Sequence, residues 1–202
     1  MNPYLVGITG GIGSGKSAVS KILNVIGIKV YNSDEKAKFL MENDELLLSS
    51  IKNDFGEEAY IDGKINKNFI SNNLFNNNKK LKMMNDLVHP VVIKDFKDWC
   101  SKNKDQRILI KESALLFSSD SYKDLDFIIY VYANKSLRIS RILNRDKFRT
   151  RAEIKKIIDN QIAEEEASNT ADFKLSNNEN NLLLPKVIEI FDKINSNIKT
   201  TS

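Results

Sequence analysis

The chain has one cysteine, Cys100, in 202 residues. An internal disulfide is therefore excluded, and so is a metal site built from clustered thiolates. Cys100 reads as a small, partly buried thiol. No apolar run approaches the length of a membrane span. Residues 1–15 lack the basic start and long apolar stretch of a secretory signal, so the expected compartment is the cytoplasm and no membrane partner is expected. Charge is not lopsided either. A formal net charge of +4 suits a phosphorylated ligand but is too weak to argue for nucleic acid. Hydrophobic content of 41% and charged content of 29% are those of an ordinary soluble globule, long enough for a real core. No internal repeat is visible. The abundant Lys, Asn and Ile read as background composition.

What is present is concentrated near the start. Residues 10–17 read Gly10-Gly11-Ile12-Gly13-Ser14-Gly15-Lys16-Ser17, the complete Gly-x-x-x-x-Gly-Lys-Ser/Thr phosphate-binding pattern. Glycines let a backbone approach an anion without Cβ clashes. The loop then opens a helix, so free N–H groups and the positive end of the dipole face one point. Lys16 adds a full charge for the β- and γ-phosphates, and the Ser17 hydroxyl can ligate Mg²⁺. The flanks agree. Tyr4–Thr9 is a short, mostly apolar run suited to a buried parallel strand. Val19, Ile22, Leu23 and Ile26 then recur at helical spacing.

Alternating strands and helices follow, which predicts a parallel sheet with right-handed crossovers in one α/β domain spanning 1–202. A second strand ends at Val30–Tyr31. A helix is expected over 34–54, with Phe39, Leu40, Leu46, Leu47 and Ile51 as its apolar side. Glu57–Lys64 reads as a turn or small hairpin. Residues 67–104 read as mostly helical, interrupted at Asn76–Asn78 and at Pro90. Further strands are expected at Arg107–Glu112, Phe127–Tyr132 and Phe173–Ser176. Helices are expected at 135–146, about 150–167 and Leu182–Ile194, with a polar, frayed tail after that.

Four features distinguish among users of a phosphate loop. Asn32-Ser33-Asp34 sits at the carboxyl end of the second strand, the edge where ligand crevices lie. Asp34 there could orient and deprotonate an acceptor hydroxyl. Equally, Asn32 with Glu35 resembles a helix N-cap pair, and Asp34 suits a first turn. Arg138, Arg141, Arg145 and Arg149 recur at three- and four-residue spacing, so they share a helical face. They could clamp phosphoryl oxygens, or form a solvated face above Leu137, Ile142 and Leu143. Asp146 reads as an anchor for that helix end. Glu112, ending the third strand, could hold the Mg²⁺ shell through water or be a solvated terminus. His89-Pro90 reads first as a helix start capped by His89. Trp99 and Glu164–Glu166 read as packing and a solvated helix face.

Taken together, these motifs resemble dephospho-coenzyme A kinase. That family opens Gly-Leu-Thr-Gly-Gly-Ile-Gly-Ser-Gly-Lys-Ser, and this chain reads Gly7-Ile8-Thr9-Gly10-Gly11-Ile12-Gly13-Ser14-Gly15-Lys16-Ser17. Gly27–Asp34 is similar to its Gly-hydrophobic-x-Val-Ile-Asp-Ala-Asp, and Leu87-Val88-His89-Pro90 to its Leu-x-His-Pro. Ala114-Leu115-Leu116-Phe117 resembles Pro-Leu-Leu-Phe, and Arg141 with Asn144-Arg145-Asp146 resembles Arg-x-x-x-Arg-Asp. Gln161, Ala171-Asp172-Phe173 and Asn177-Asn178 follow its late pattern. The chain departs from it at Asn32, Ser33, Ala114, Ser118 and Ala167, has Glu112 in place of an Asp, and reads Ser17-Ala18 where Ser-Thr is usual.

The resemblance implies a phosphate-loop kinase fold, a three-layer α/β sandwich on a five-stranded parallel sheet. It also implies a CoA-binding helical region at about 35–104 and a lid at about 135–168. It implies transfer of phosphate from Mg²⁺–ATP to the ribose 3′-hydroxyl of dephospho-CoA. Asp34, Lys16 and Arg141 would be catalytic. Gly11, Ile12, Gly13, Ser14, Gly15, Lys16, Ser17, Ala18, Arg145 and Asn177 would bind ATP, and Asp34 and His89 the acceptor. Ser17 would hold Mg²⁺, with Glu112 acting through water. The alternatives are another small-molecule kinase of nucleoside or shikimate type, or a nucleotide-gated switch. The switch would need a guanine-reading Asn-Lys-x-Asp sequence, which is absent.

Overall fold

The structure, a computed structural model, describes residues 2–74, 77–117, 121–147, 149–159, 161, 164–178 and 182–200. Asn76, Ser118, Glu179–Asn181, Thr201 and Ser202 lie outside them, as do the side chains of Glu164 and Glu165. The chain forms two compact units, one of residues up to Val30 and from Lys104 onward, the other of Tyr31–Asn103.

The main sheet has five parallel strands in the order β2-β5-β1-β6-β7. Its strands are β1 (Tyr4–Thr9), β2 (Lys29–Asn32), β5 (Ile108–Glu112), β6 (Phe127–Tyr132) and β7 (Phe173–Ser176). The side chains alternate as a pleat requires. Val6, Ile8, Ile108, Ile110, Ile129, Val131 and Leu175 share one buried cluster. Covering them are α1 (Lys16–Val25), through Val19 and Leu23, and α9 (Leu183–Thr200), through Val187, Ile190, Phe191, Ile194 and Ile198. On the other face Gly7 lies against Leu116 and Leu125, so close that a Cβ there would stand 2.8 and 2.6 Å from them. Two carboxylates pin the strand ends. Asp126 Oδ2 accepts from Leu5 N at 2.7 Å, and Asp172 Oδ2 from Ile128 N at 2.7 Å. The Ala171-Asp172 motif thus serves the sheet.

After β6 come α6 (Lys135–Arg145), α7 (Arg151–Asp159) and α8 (Glu164–Thr170). Ile139, Ile142, Ile154 and Ile158 join α6 to α7 in a small core of their own. The charged helix expected over about 150–167 is therefore two helices. α9 also runs further than expected, because Ile198 continues the buried row from Ile194 four residues on. Ser196 and Asn197 between them are exposed, so this tail is packed helix as far as Ile198.

The second unit contains α2 (Ser33–Asn43), α3 (Glu45–Phe55), a short 3₁₀ turn at Glu57–Ala59, the hairpin β3 (Tyr60–Ile61) and β4 (Lys64–Ile65), α4 (Lys67–Leu74) and α5 (Asn78–Lys102). The expected helix over 34–54 breaks at Asp44. Its backbone is extended (φ −90°, ψ 110°), and its Oδ1 accepts from Leu47 N at 2.9 Å. That N-cap resets the helical phase. Leu47 and Ile51 are buried as expected, but Phe39 and Leu46 are 55% and 82% exposed. The hairpin turn is Asp62-Gly63, both with positive φ (50° and 75°), as a two-residue turn of this hand requires.

The expected interruption at Pro90 does not occur. Pro90 lies inside α5, so His89 is a mid-helix residue and not a cap. An interior proline costs roughly 3 kcal/mol. Here Met84, Val88, Val92 and Phe96 form a buried row at four-residue spacing across it, and that packing keeps the helix continuous.

Tyr31 closes this core. Its ring meets Phe96 edge-on at 5.1 Å and Trp99 at 5.5 Å, and its hydroxyl donates to Asp95 Oδ2 at 2.7 Å. Burial, then the Asp95 carboxylate, push the Tyr31 pKa far up. Burial and Glu42 push Tyr60 up to about 12. The unfolded chain therefore loses these protons first, near pH 10. Stability is intact below that and falls as pH rises above it, by up to about 1.4 kcal/mol per pH unit for each group. Tyr31→Phe is expected to cost about 1–3 kcal/mol at neutral pH, by leaving Asp95 without this donor. It should also flatten the alkaline loss. Urea melts at pH 8 and 11 check both.

Candidate active site

β1 ends at Thr9 and α1 begins at Lys16, so the phosphate loop spans the turn between them. Gly15 sits at the N-cap of α1 with φ 98°, a left-handed conformation open to glycine. A Cβ there would also stand 2.0 Å from Asn177 Nδ2. No side chain caps the first turn of α1, and no acidic residue lies in it. The positive end of its dipole therefore faces the loop with no side-chain cap or first-turn carboxylate competing for an anion.

The loop carbonyls are engaged by side-chain donors, one from the loop and the others from distant elements. Lys16 Nζ donates to Gly10 O at 2.8 Å, Arg138 Nε to Ile12 O at 2.8 Å and Asn177 Nδ2 to Ser14 O at 2.9 Å. Arg141 Nη1 reaches Gly13 O and Ser14 O only at 3.4 Å, while its Nη2 donates to Asn177 O at 3.0 Å. The Ser14 hydroxyl oxygen is buried without a partner in this structure. An unpaired buried polar atom in a native site calls for a ligand, and here a phosphate oxygen would supply it.

The pleat explains Glu112. It lies opposite Ile8 at the carboxyl end of β5, and its parity matches Ile108 and Ile110, which face α1. Ser17 Oγ accordingly donates to Glu112 Oε1 at 3.2 Å. Glu112 is 3% exposed, so it is not a solvated terminus. One hydroxyl and one carboxylate are hard oxygen donors. No group of three or more His, Cys, Asp or Glu able to hold a metal occurs among the described residues. Such a sparse donor set fits Mg²⁺, which keeps most of its waters and takes phosphate oxygens.

In the second unit, Asn32 is the N-cap of α2. Its Oδ1 accepts from Asp34 N and Glu35 N, both at 3.1 Å. The cap belongs to Asn32, and the exposed Asp34 carboxylate stands in the first turn beyond it.

The CoaE dephospho-CoA kinase model matches residues 4–182. This chain belongs to the dephospho-CoA kinase family. A dephospho-CoA kinase from Bacteroides fragilis is 36% identical over 185 residues, 92% of this chain and 90% of its own. Among solved structures, TT1252 from Thermus thermophilus superposes with a TM-score of 0.82 at 26% identity, covering 98% of each chain. Dephospho-CoA kinase from Campylobacter jejuni superposes with a TM-score of 0.67 at 26% identity, covering 94% of this chain and 96% of that one. The α/β phosphate-loop fold and the kinase expectation both hold.

Within the kinase, the loop residues Gly11–Ala18, Arg141, Asn177 and Glu112 come together around α1. Arg145 does not join them. Its guanidinium binds Asp146 through Nε at 2.8 Å and Nη2 at 2.9 Å, which holds the Asp146 carboxyl below its usual range. Asp146 ends α6 as expected, its N–H donating to Ile142 O at 2.7 Å. Arg149 lies beyond that end, so the arginine row is not one continuous helical face. His89 is half-buried on α5, and Ala167 is buried on α8. Two residues carry more than the sequence reading assigned them. Arg138 is 2% exposed and bound to the loop, together with Gln161. Its sequence signals were the arginine row and its place one turn before Ile142, on the side of α6 that packs inward.

Proposed function

We propose that the protein transfers the γ-phosphoryl group of ATP to the ribose 3′-hydroxyl of dephospho-CoA, giving coenzyme A and ADP in the cytoplasm. The observation that carries this reading is the loop itself. Its carbonyls are held by Lys16, Arg138 and Asn177, while the N-terminus of α1 is left uncapped for phosphate. Gly11–Ala18 take the triphosphate, and Ser14 donates its unpaired hydroxyl. Lys16 exchanges its bond to Gly10 O for the β/γ-phosphate oxygens. Ser17, with Glu112 through water, would hold Mg²⁺, which when bound neutralises charge on the phosphates. Asp34 orients the 3′-hydroxyl and accepts its proton. His89 contacts the acceptor, and Asn177 serves the nucleotide, joined by Arg145 once its guanidinium leaves Asp146. We assign residues 35–104 to acceptor binding and 135–168 to the lid.

Arg141 closes on the transferring group. Its two 3.4 Å contacts are at the weak limit of hydrogen bonding, so the guanidinium can exchange them for phosphoryl oxygens. Arg141→Ala is expected to lower kcat roughly 10²-fold while raising the ATP KM by less than about tenfold, the mark of an interaction made in the transition state. Steady-state kinetics in ATP at saturating acceptor separate the two. Wild-type kinetics would return Arg141 to loop support alone. A coupled ADP-release assay offering dephospho-CoA, adenosine and shikimate in parallel tests the acceptor. Turnover with dephospho-CoA alone is expected, and preference for either other acceptor would favour the other small-molecule kinases.

A further inference from the structure

We infer that Arg138 and Gln161 form a brace that positions the phosphate loop for ATP, and that Gly11 is glycine to make room for it. The inference rests on the reading of this loop as the ATP site. A buried guanidinium is costly unless its N–H groups are paired. At 2% exposure Arg138 meets that condition on the loop. Its Nε donates to Ile12 O at 2.8 Å and its Nη2 to Gln161 Oε1 at 2.9 Å. The same Gln161 atom accepts from Ile12 N at 3.0 Å. Two N–H donors converge on that atom, so it is the amide oxygen. Ile12 is thereby held through both its N–H and its carbonyl, by residues 126 and 149 positions away in the chain.

The brace fills the space beside Gly11. A Cβ on Gly11 would stand 2.1 Å from Arg138 Nη2, 2.6 Å from Arg138 Cζ and 2.9 Å from Gln161 Oε1. Gly11 is not among the positive-φ glycines, so its backbone would itself accept a side chain. What excludes one is the guanidinium. Gly15 is different, since its left-handed φ requires glycine irrespective of neighbours. The phosphate loop thus uses glycine for two separable reasons. Arg138 and Gln161 are positioning residues, acting on phosphate through the loop peptide.

A double-mutant cycle read as ATP affinity in the absence of acceptor tests this. Because no acceptor is present, a wrong acceptor would show in the turnover assay and leave this readout unchanged. Gly11→Ala alone is expected to weaken ATP roughly 10²-fold, and Arg138→Ala alone roughly tenfold. In the Arg138→Ala background, adding Gly11→Ala should cost less than about threefold, because the two shortest contacts are gone and the Gln161 amide, freed from Arg138, can shift from 2.9 Å. Losses that multiply in the double variant would overturn the account of Gly11, and so would a harmless Gly11→Ala. Gln161→Ala provides a second arm if Arg138→Ala does not fold. It should weaken ATP roughly tenfold with the fold intact. Unchanged ATP affinity in a folded Gln161→Ala protein would show that the brace merely stabilises the structure.

Discussion

Asp34→Asn is expected to leave the melting temperature and ATP affinity nearly unchanged while lowering turnover about 10²-fold. The cap of α2 is supplied by Asn32, whose Oδ1 receives both first-turn N–H groups. Asp34 contributes to stability mainly through its charge beside the helix N-terminus, worth roughly 0.3–1 kcal/mol. Asparagine keeps the shape and a hydrogen-bonding oxygen but loses basicity. Loss of a general base costs about 10²–10⁴ in rate. The loose transition state of phosphoryl transfer depends more on positioning than on deprotonation, which places the effect at the lower end. Melting temperature, nucleotide affinity and turnover measured on one preparation decide it. A clear drop in melting temperature with turnover intact would make Asp34 a helix-start residue only.

Lys16→Ala is expected to reduce phosphoryl transfer at least about 10³-fold and to weaken ATP, because a fixed cation is lost where charge develops. Lys16 Nζ donates to Gly10 O within the loop, a bond whose loss costs about 1 kcal/mol. The folded protein should therefore survive. Lys16→Arg should be nearly as inactive, since a bulkier planar fork cannot reproduce a compact ammonium in this turn. Circular dichroism beside single-turnover transfer checks both variants. Near-normal transfer by folded Lys16→Ala protein would remove the loop from the chemistry.

Much of this was legible in the sequence, and the limits have physical causes. β1, β6 and β7 have the predicted bounds because short apolar runs between turns leave little choice of register. The loop was legible because its glycine spacing is itself the geometry. Asp44 was missed because one N-cap inside an apolar period changes phase without changing composition. Pro90 misled because local cost was weighed without Val88, Val92 and Phe96, whose burial depends on the rest of the second unit. α9 was cut short because Asn195–Asn197 look like a tail until Ile198 is seen buried beyond them. Arg138 was picked out only as one of the arginine row, a phosphoryl clamp or a solvated face, and its bonds to the loop were not foreseen. Its environment is made by Ile12 and Gln161, and no local pattern around α6 encodes an acceptor so distant in the chain.

The central claim is transfer of phosphate to one hydroxyl, and identifying the product tests it directly. The purified protein is incubated with Mg²⁺, γ-labelled ATP and dephospho-CoA, and the labelled product is separated and its phosphate located by ³¹P nuclear magnetic resonance. The account predicts one labelled species, co-migrating with coenzyme A, with the new phosphate as a monoester on the ribose 3′-oxygen. Label released as inorganic phosphate with dephospho-CoA unchanged, or a monoester on any other hydroxyl, would contradict it.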